Sequence, residues 1–226
     1  SIYPKRPYVS ELYKLMVQSY NLLKSHPVNL DRISEETPAN SIWLWGEGQR
    51  PRLDSFESKF HKKGSVVSAV DSSRESACAL NVSVDVDGAT GYIDTNFTGK
   101  MEAALQEFRK GQDFVYIHVE APDECGHRGE MENKIKAIEL IDEKNNSPDS
   151  GSQEAGPFRI MVLPDHPTPL STKTHASDPV PYLIYDSARE QCSGVSCFCE
   201  ETAKQTGNYV EAGPMLIEKL FSAIQA

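Results

Sequence analysis

Carboxylate and imidazole side chains occur together in three short segments of the sequence. Asp123 and His127 lie four positions apart, Asp165 and His166 are adjacent, and His175 lies in the segment that follows them. Carboxylates and imidazoles are the natural protein ligands of manganese, zinc and similar ions. These five side chains therefore predict a metal site, provided that the fold brings the three segments together.

The two acidic segments each follow an apolar run of the length of a buried strand. Residues 114–119 come directly before the segment of Asp123, and residues 159–163 come shortly before Asp165. In open α/β sheets, ligands bind beyond the carboxyl ends of the strands. We therefore expect the two segments to meet at one edge of a sheet.

Each histidine also has a structural interpretation, as a hydrogen-bonded polar residue at a strand end. For any one histidine taken alone, the structural interpretation is favoured. The five residues taken together favour metal binding, because their side chains are of the types that bind metals and they follow predicted strands, where ligands bind in such sheets. His118 lies within the predicted strand over residues 114–119 and is interpreted as structural. Asp123 and His127 are predicted to be joined by a short turn that contains Gly126.

The spacing of apolar residues predicts strands that alternate with helices. Helices are predicted over residues 10–24, 72–80, 98–110, 131–144 and 215–224, and strands over residues 41–45, 65–70, 82–86, 114–119, 159–163 and 180–185. Alternating strands and helices are typical of an α/β fold with a largely parallel sheet.

Composition excludes several classes of partner. A formal net charge of -10 argues against nucleic acid, which needs a basic surface. The sequence has no apolar run long enough to cross a membrane. Cys192, Cys197 and Cys199 lack the C-x2-C spacing of most zinc sites, so reduced thiols of a cytoplasmic protein are the preferred interpretation.

Five longer motifs carry a family resemblance: HVEAPDECGH, LPDHPTPLSTKTHASDPVP, PANSIWLWGEG, SAVDSS and GATGYIDTN. They resemble the archaeal-type, cofactor-independent phosphoglycerate mutases of the alkaline phosphatase superfamily, over nearly the whole chain. The resemblance implies an alkaline-phosphatase-like α/β core with a largely parallel sheet flanked by helices, incomplete at the N-terminus. Residues 1–53 would then be the remainder of an inserted substrate-binding domain with its connection. Residues 54–226 would be the C-terminal half of the metal-binding domain.

The resemblance also implies a distribution of ligands over two divalent ions, which could be Mn, Mg, Zn or Co. One ion would be held by Asp123, His127 and His175. The other would be held by Asp165 and His166, together with an Asp and a Ser or Thr nucleophile that have no counterpart in this sequence. In the family the two ions hold the transferring phosphoryl group, and 3-phosphoglycerate and 2-phosphoglycerate interconvert through a phosphoenzyme.

Three arginines are candidates for binding the phosphorylated three-carbon acid, because guanidinium groups bind phosphate and carboxylate oxygens in pairs. Arg50 and Arg52 follow the glycine turn of WLWGEGQRPR, and Arg74 lies in SAVDSSRES. The alternative for each of them is a solvated surface charge.

Three functions remain open at this level. The first is a fragment of a phosphoglycerate mutase, inactive alone, whose partner would be the missing N-terminal half. The second is a metal-dependent phosphatase or another phosphomutase of the same superfamily. The third is a homologue without catalytic activity that acts as a binding partner.

Overall fold

The computed structural model describes residues 9–32, 38–44, 53–69, 80, 82–145, 156–189 and 191–222. The chain divides into two compact units, Ser1–Arg52 and Leu53–Ala226. The roles predicted for residues 1–53 and 54–226 stay predictions.

The described residues of the first unit form the helices α1 (Val9–Leu23) and α2 (Pro27–Asp31). The helix predicted over residues 10–24 is thus confirmed. The strand predicted over residues 41–45 is wrong for its described part, since residues 41–44 form no strand. The backbone N–H of Ile42 instead donates to Ser19 Oγ of α1, at 3.0 Å.

The second unit contains the remaining elements, in the order that an α/β fold requires. In chain order they are α3 (Phe56–Phe60), β1 (Gly64–Val67), β2 (Val82–Val84), α4 (Phe97–Arg109), β3 (Phe114–Ile117), α5 (Ala121–Arg128), α6 (Met131–Asn145), β4 (Arg159–Val162), β5 (Leu183–Asp186), α7 (Glu200–Gln205), a 3-10 turn (Gly213–Met215) and α8 (Leu216–Phe221). The helix predicted over residues 72–80 lies almost entirely outside the described residues.

The strands form a parallel sheet and a separate antiparallel pair. The sheet has the order β2-β1-β3, with both neighbours parallel to β1. Strands β4 and β5 pair antiparallel, with Arg159 opposite Asp186. The expected α/β class with a parallel sheet flanked by helices is confirmed. The expectation that residues 114–119 and 159–163 end at one edge of the same sheet is wrong for the described residues, because β4 pairs with β5 and not with the parallel strands.

Strand β1 is the buried centre of the sheet, and all four of its residues are buried. Its one polar side chain has a buried partner on α4, since Ser65 Oγ donates to Glu107 Oε2 at 2.7 Å. Lys110 reaches the other oxygen of the same carboxylate, at 2.6 Å. A buried carboxylate is costly unless it is paired, so this contact fixes α4 against the sheet.

Apolar residues pack on the two sides of this framework. One cluster contains Phe56, Val66 and Leu80, with aromatic rings of Phe114 and Phe221 packed around Phe56. A second cluster joins the helices: Phe97 of α4, Ala121 of α5 and Ala137 of α6.

The carboxyl end of β3 is anchored by main-chain and lysine contacts. The prediction of a strand through residue 119 is too long, because β3 ends at Ile117 and His118 lies beyond it. The His118 N–H donates to Val67 O at 2.9 Å, and the buried Lys100 ammonium donates to His118 O at 3.0 Å. These main-chain contacts hold the backbone of residue 118 just before α5 begins, and the structural role of the His118 side chain stays a prediction.

Helix α6 buries a different face from the one that its apolar pattern indicates. Ala137 is fully buried, whereas Met131, Ile135 and Ile138 are each more than half exposed. The small alanine lets neighbouring elements approach closely, and Leu140 and Ile141 pack partly buried against the same cluster.

None of the helices formed by the described residues has both the length and the apolar character that a membrane span requires.

Arg159 ties the antiparallel pair to the last helix. Its Nε donates to Asp186 Oδ2 at 2.8 Å, and its Nη1 donates to Leu220 O and Ser222 O, both at 2.9 Å. The hydrogen bond from Arg159 holds the pKa of Asp186 below its ordinary value. The contribution of the Arg159–Asp186 pair to the stability of the folded chain is therefore complete above the ordinary carboxyl pKa. It is lost as the pH falls through the lower pKa that Asp186 has in the folded state.

Replacing Arg159 with methionine should destabilise the chain by about 2 kcal/mol, because its charged hydrogen bonds to the Asp186 carboxylate and to two main-chain carbonyls are lost. Urea unfolding at neutral pH measures the change. The exposed Lys136 of α6 provides a control, since Lys136→Met should leave the free energy of unfolding nearly unchanged. Equal effects of the two substitutions would contradict the structural role of Arg159.

Candidate metal centre

Helix α5 places two of the predicted ligands on one face. The segment predicted as a turn is a helix, Ala121–Arg128, so Asp123 and His127 are related by one helical turn and their side chains are neighbours. Pro122 fits the first turn because a proline lacks only an N–H that has no helical partner there. The helix ends at Gly129, whose φ of 74° suits glycine.

The chain that follows β4 lies directly against α5. Gly126 makes this approach possible, since a Cβ at that position would lie 2.6 Å from Thr168 O. Lys134 of α6 donates from Nζ to the same carbonyl oxygen, at 2.9 Å. Gly126 therefore acts as a contact surface between two segments and not as a turn residue.

Three donor side chains converge where the segments meet. Asp123, His127 and His175 each offer a ligand atom within 4.8 Å of the others. His127 Nε2 lies 3.3 Å from Asp123 Oδ2 and 3.1 Å from His175 Nε2. His175 Nε2 lies 3.5 Å from Asp123 Oδ1. All three side chains are partly exposed, so the group is open to solvent on one side.

The hydrogen bonds of His127 decide which ring nitrogen is free. Its Nδ1 lies 3.0 Å from the carbonyl oxygen of Lys173, which can only accept, so Nδ1 carries the proton. Lys173 adopts a left-handed φ of 53°, which helps to aim this carbonyl at the ring. In the neutral imidazole, Nε2 then presents a lone pair to the other two donors.

Thr168 is a site residue that the sequence pattern did not identify. Its hydroxyl donates to Asp123 Oδ1 in a short hydrogen bond and lies 3.4 Å from His166 Nδ1. Lys173 was missed in the same way, because its role lies in a backbone carbonyl. The nearest sequence signal for Thr168 is its position directly after the Asp165-His166-Pro167 motif.

His166 and Asp165 lie beside this group in different ways. The His166 ring stacks on the His175 ring, with centroids 3.7 Å apart. The Asp165 carboxylate is 64% exposed and turns back to its own neighbour, with Oδ1 accepting from the His166 N–H at 3.1 Å. The structure thus brings the His166 ring next to His175, and Asp165 stays outside the three-donor group.

The predicted substrate residues Arg50, Arg52 and Arg74 lie outside the described residues.

The end of β3 near the site is acidic. Burial raises the pKa of the Tyr116 phenol, and the carboxylates of Asp165 and Glu120 raise it further. Negative charge of this kind favours a bound cation.

Comparisons with known proteins agree with a metal site. The curated 2,3-bisphosphoglycerate-independent phosphoglycerate mutase of Methanosarcina mazei is 45% identical over 84% of this chain and 49% of its own length. The enzyme of the same name from Methanothrix thermoacetophila is 44% identical, over 93% of this chain and 54% of its own length. The chain therefore spans about half the length of the curated relatives it matches.

A solved structure and a family model extend this similarity. The structure of the PH0037 protein from Pyrococcus horikoshii matches 89% of this chain and 53% of that protein, with a TM-score of 0.68 and 28% identity. The model of the metalloenzyme superfamily matches residues 6–223. Because that match covers almost the whole sequence, the chain belongs to the metalloenzyme superfamily.

Proposed function

We propose that this chain is the metal-binding part of a phosphoglycerate mutase that needs no bisphosphoglycerate cofactor. The observation that carries the proposal is the convergence of Asp123, His127 and His175 on one point. The names and the identities of the curated relatives support the reaction and the substrate class.

The three donors fit a divalent ion in spacing and in kind. Ligand atoms about 2.1 Å from a tetrahedral ion lie about 3.4 Å from one another. The two ring nitrogens His127 Nε2 and His175 Nε2 are 3.1 Å apart; the first lies 3.3 Å from Oδ2 and the second 3.5 Å from Oδ1 of the Asp123 carboxylate. One carboxylate and two imidazoles suit manganese, zinc or a related ion, and the exposed side leaves a position for a substrate oxygen.

A bound divalent ion would polarise a phosphoryl oxygen and stabilise the charge that develops during transfer. The protein side chains hold the donors in position for this. Thr168 fixes one oxygen of Asp123, and the Lys173 carbonyl fixes the tautomer of His127. Such supporting contacts typically orient the ligands of a metal site.

Asp165 and His166 are proposed as ligands of a second ion. The stacking of His166 on His175 places it at the edge of the first group. The exposed Asp165 carboxylate can turn towards an added ion at little cost, since its main contact is with its own neighbour. The remaining ligands and the nucleophile would come from residues beyond this chain.

The phosphorylated three-carbon acid remains a proposed substrate, with Arg50, Arg52 and Arg74 as candidates to bind it. We propose that turnover belongs to a protein of the relatives' full length. Two alternative functions are tested against this proposal. One is phosphatase activity, and the other is a role as a binding partner without catalytic activity.

Replacing His127 with alanine should weaken the binding of Mn²⁺ or Zn²⁺ by more than about 100-fold, because a direct ligand is lost and supporting residues alone cost 10–100-fold. Isothermal titration calorimetry of the chain measures the affinity. His61→Asn is the matched control, since it removes an exposed imidazole outside the donor group and asparagine tolerates the left-handed backbone at that position. Unchanged affinity in the His127→Ala variant would refute the ligand assignment.

Gly126→Ala should lower metal affinity without removing any ligand, because the new methyl group would displace Thr168 and its contact with Asp123. We expect metal affinity to fall by about 10–100-fold, as it does when other residues that orient metal ligands are replaced. Gly213→Ala is the control, since a Cβ there meets nothing within 4 Å. Similar affinities in the two variants would show that the approach of the two segments does not position the ligands.

Phosphoglycerate isomerisation is expected from a protein of the relatives' full length and not from the 226-residue chain alone. A coupled assay detects 2-phosphoglycerate formed from 3-phosphoglycerate, and a parallel assay detects free phosphate. His175→Ala in the longer protein should abolish isomerisation. Release of free phosphate without isomerisation would show that the protein is a phosphatase and not a mutase. Isomerisation by the 226-residue chain alone would contradict the proposal that further residues are needed.

A further inference from the structure

Two thiols face each other close to helix α7. Cys197 Sγ and Cys199 Sγ are 3.6 Å apart. Cys197 is exposed and Cys199 is partly exposed, so both sulfurs are accessible to small molecules. A disulfide needs a sulfur separation of about 2.05 Å, so the pair must close by about 1.5 Å.

Thr202 holds the loop that carries the two cysteines. Its Oγ1 lies 2.6 Å from Cys197 O and 3.2 Å from Cys199 O, so the one hydroxyl hydrogen has several acceptors within reach. The same hydroxyl lies 3.3 Å from Cys199 Sγ. One side chain on the first turns of α7 therefore contacts both cysteines, and it keeps their sulfurs on the same side of the loop.

The described cysteines differ in their readiness to react. The hydroxyl of Thr202 lowers the pKa of the Cys199 thiol, which raises the fraction of thiolate at neutral pH. Burial raises the pKa of Cys125, which is inaccessible as well. Cys199 is thus the expected attacking thiol, and Cys197 is the second thiol within its reach.

We propose that Cys197 and Cys199 form a redox-active dithiol that exchanges with low-molecular-weight disulfides and closes to an intrachain disulfide. This site shares no residue with the three-donor group and does not depend on the proposed mutase function.

The exchange proceeds in two balanced steps. The Cys199 thiolate attacks one sulfur of the small disulfide, and a mixed disulfide forms while one small thiolate leaves. The Cys197 thiolate then attacks Cys199 Sγ, and the second small thiolate leaves. The protein loses two electrons and two protons, and the small disulfide becomes two thiols.

Cys192 supplies a matched control, because it is exposed and, like the other two cysteines, precedes α7 in the sequence. Its replacement by serine should leave disulfide closure intact. Replacement of Cys197 by serine should stop the reaction at the mixed disulfide on Cys199. Thr202→Val should slow the first step severalfold at neutral pH while leaving both thiols in place.

The test uses the purified chain, reduced and then exposed to oxidised glutathione in excess. Thiols that remain free are alkylated with a first reagent. The disulfides are then reduced, and the thiols released by this reduction are alkylated with a second reagent. Trypsin cuts after Arg189 and Lys204, so one peptide carries Cys192, Cys197 and Cys199, and its fragment ions locate each label. The proposal expects the second label on Cys197 and Cys199 in the wild type and in Cys192→Ser.

Two results would overturn the proposal. One is a wild-type chain whose Cys197 and Cys199 keep the first label throughout. The other is loss of closure in the Cys192→Ser variant, which would make Cys192 the partner. Circular dichroism of each variant establishes that the exposed substitutions leave the fold intact.

Discussion

The contact between helix α5 and the chain after β4 is the constraint on which the metal centre depends. The donors come from two separate parts of the sequence, and only this contact brings them within reach of one ion. Gly126 provides the space, and Lys134 holds the Thr168 carbonyl in it. The Thr168 side chain then reaches Asp123, so one short segment both joins the two elements and orients a ligand.

The sheet determines where α5 begins and therefore where its ligands stand. Strand β1 is buried on all four residues, and its partner β3 continues through the hydrogen bond from the His118 N–H to Val67 O. Lys100 holds the same residue from α4. Ala121, the first residue of α5, is fully buried against α4 and α6. The burial of a few small residues thus fixes a helix whose outer face carries Asp123 and His127.

The sequence was most informative where residue type alone limits the chemistry. Five carboxylate and imidazole residues were predicted as ligands from type and position, and three of them converge in the structure. Helix α5 could not be predicted, because eight residues with a proline and a glycine show too little apolar periodicity. The roles of Thr168 and Lys173 depend on tertiary contacts and a backbone carbonyl, which no spacing pattern encodes. The packed face of α6 was also not predicted, since Ala137 is buried while Met131, Ile135 and Ile138 are each more than half exposed.

The arrangement of lone pairs gives the strongest physical reason for a cation at this site. His127 must donate from Nδ1 to Lys173, so its Nε2 lone pair faces a carboxylate and a second imidazole at 3.1–3.3 Å. Where His175 Nε2 carries no proton, the three groups are all acceptors and repel one another at such distances unless positive charge lies between them. A single proton can be shared by only one pair, whereas one divalent ion contacts all three donors at ordinary bond lengths. The same side chains are 29–53% exposed, which leaves one side of the donor group open to solvent, as in catalytic metal sites and unlike closed structural sites.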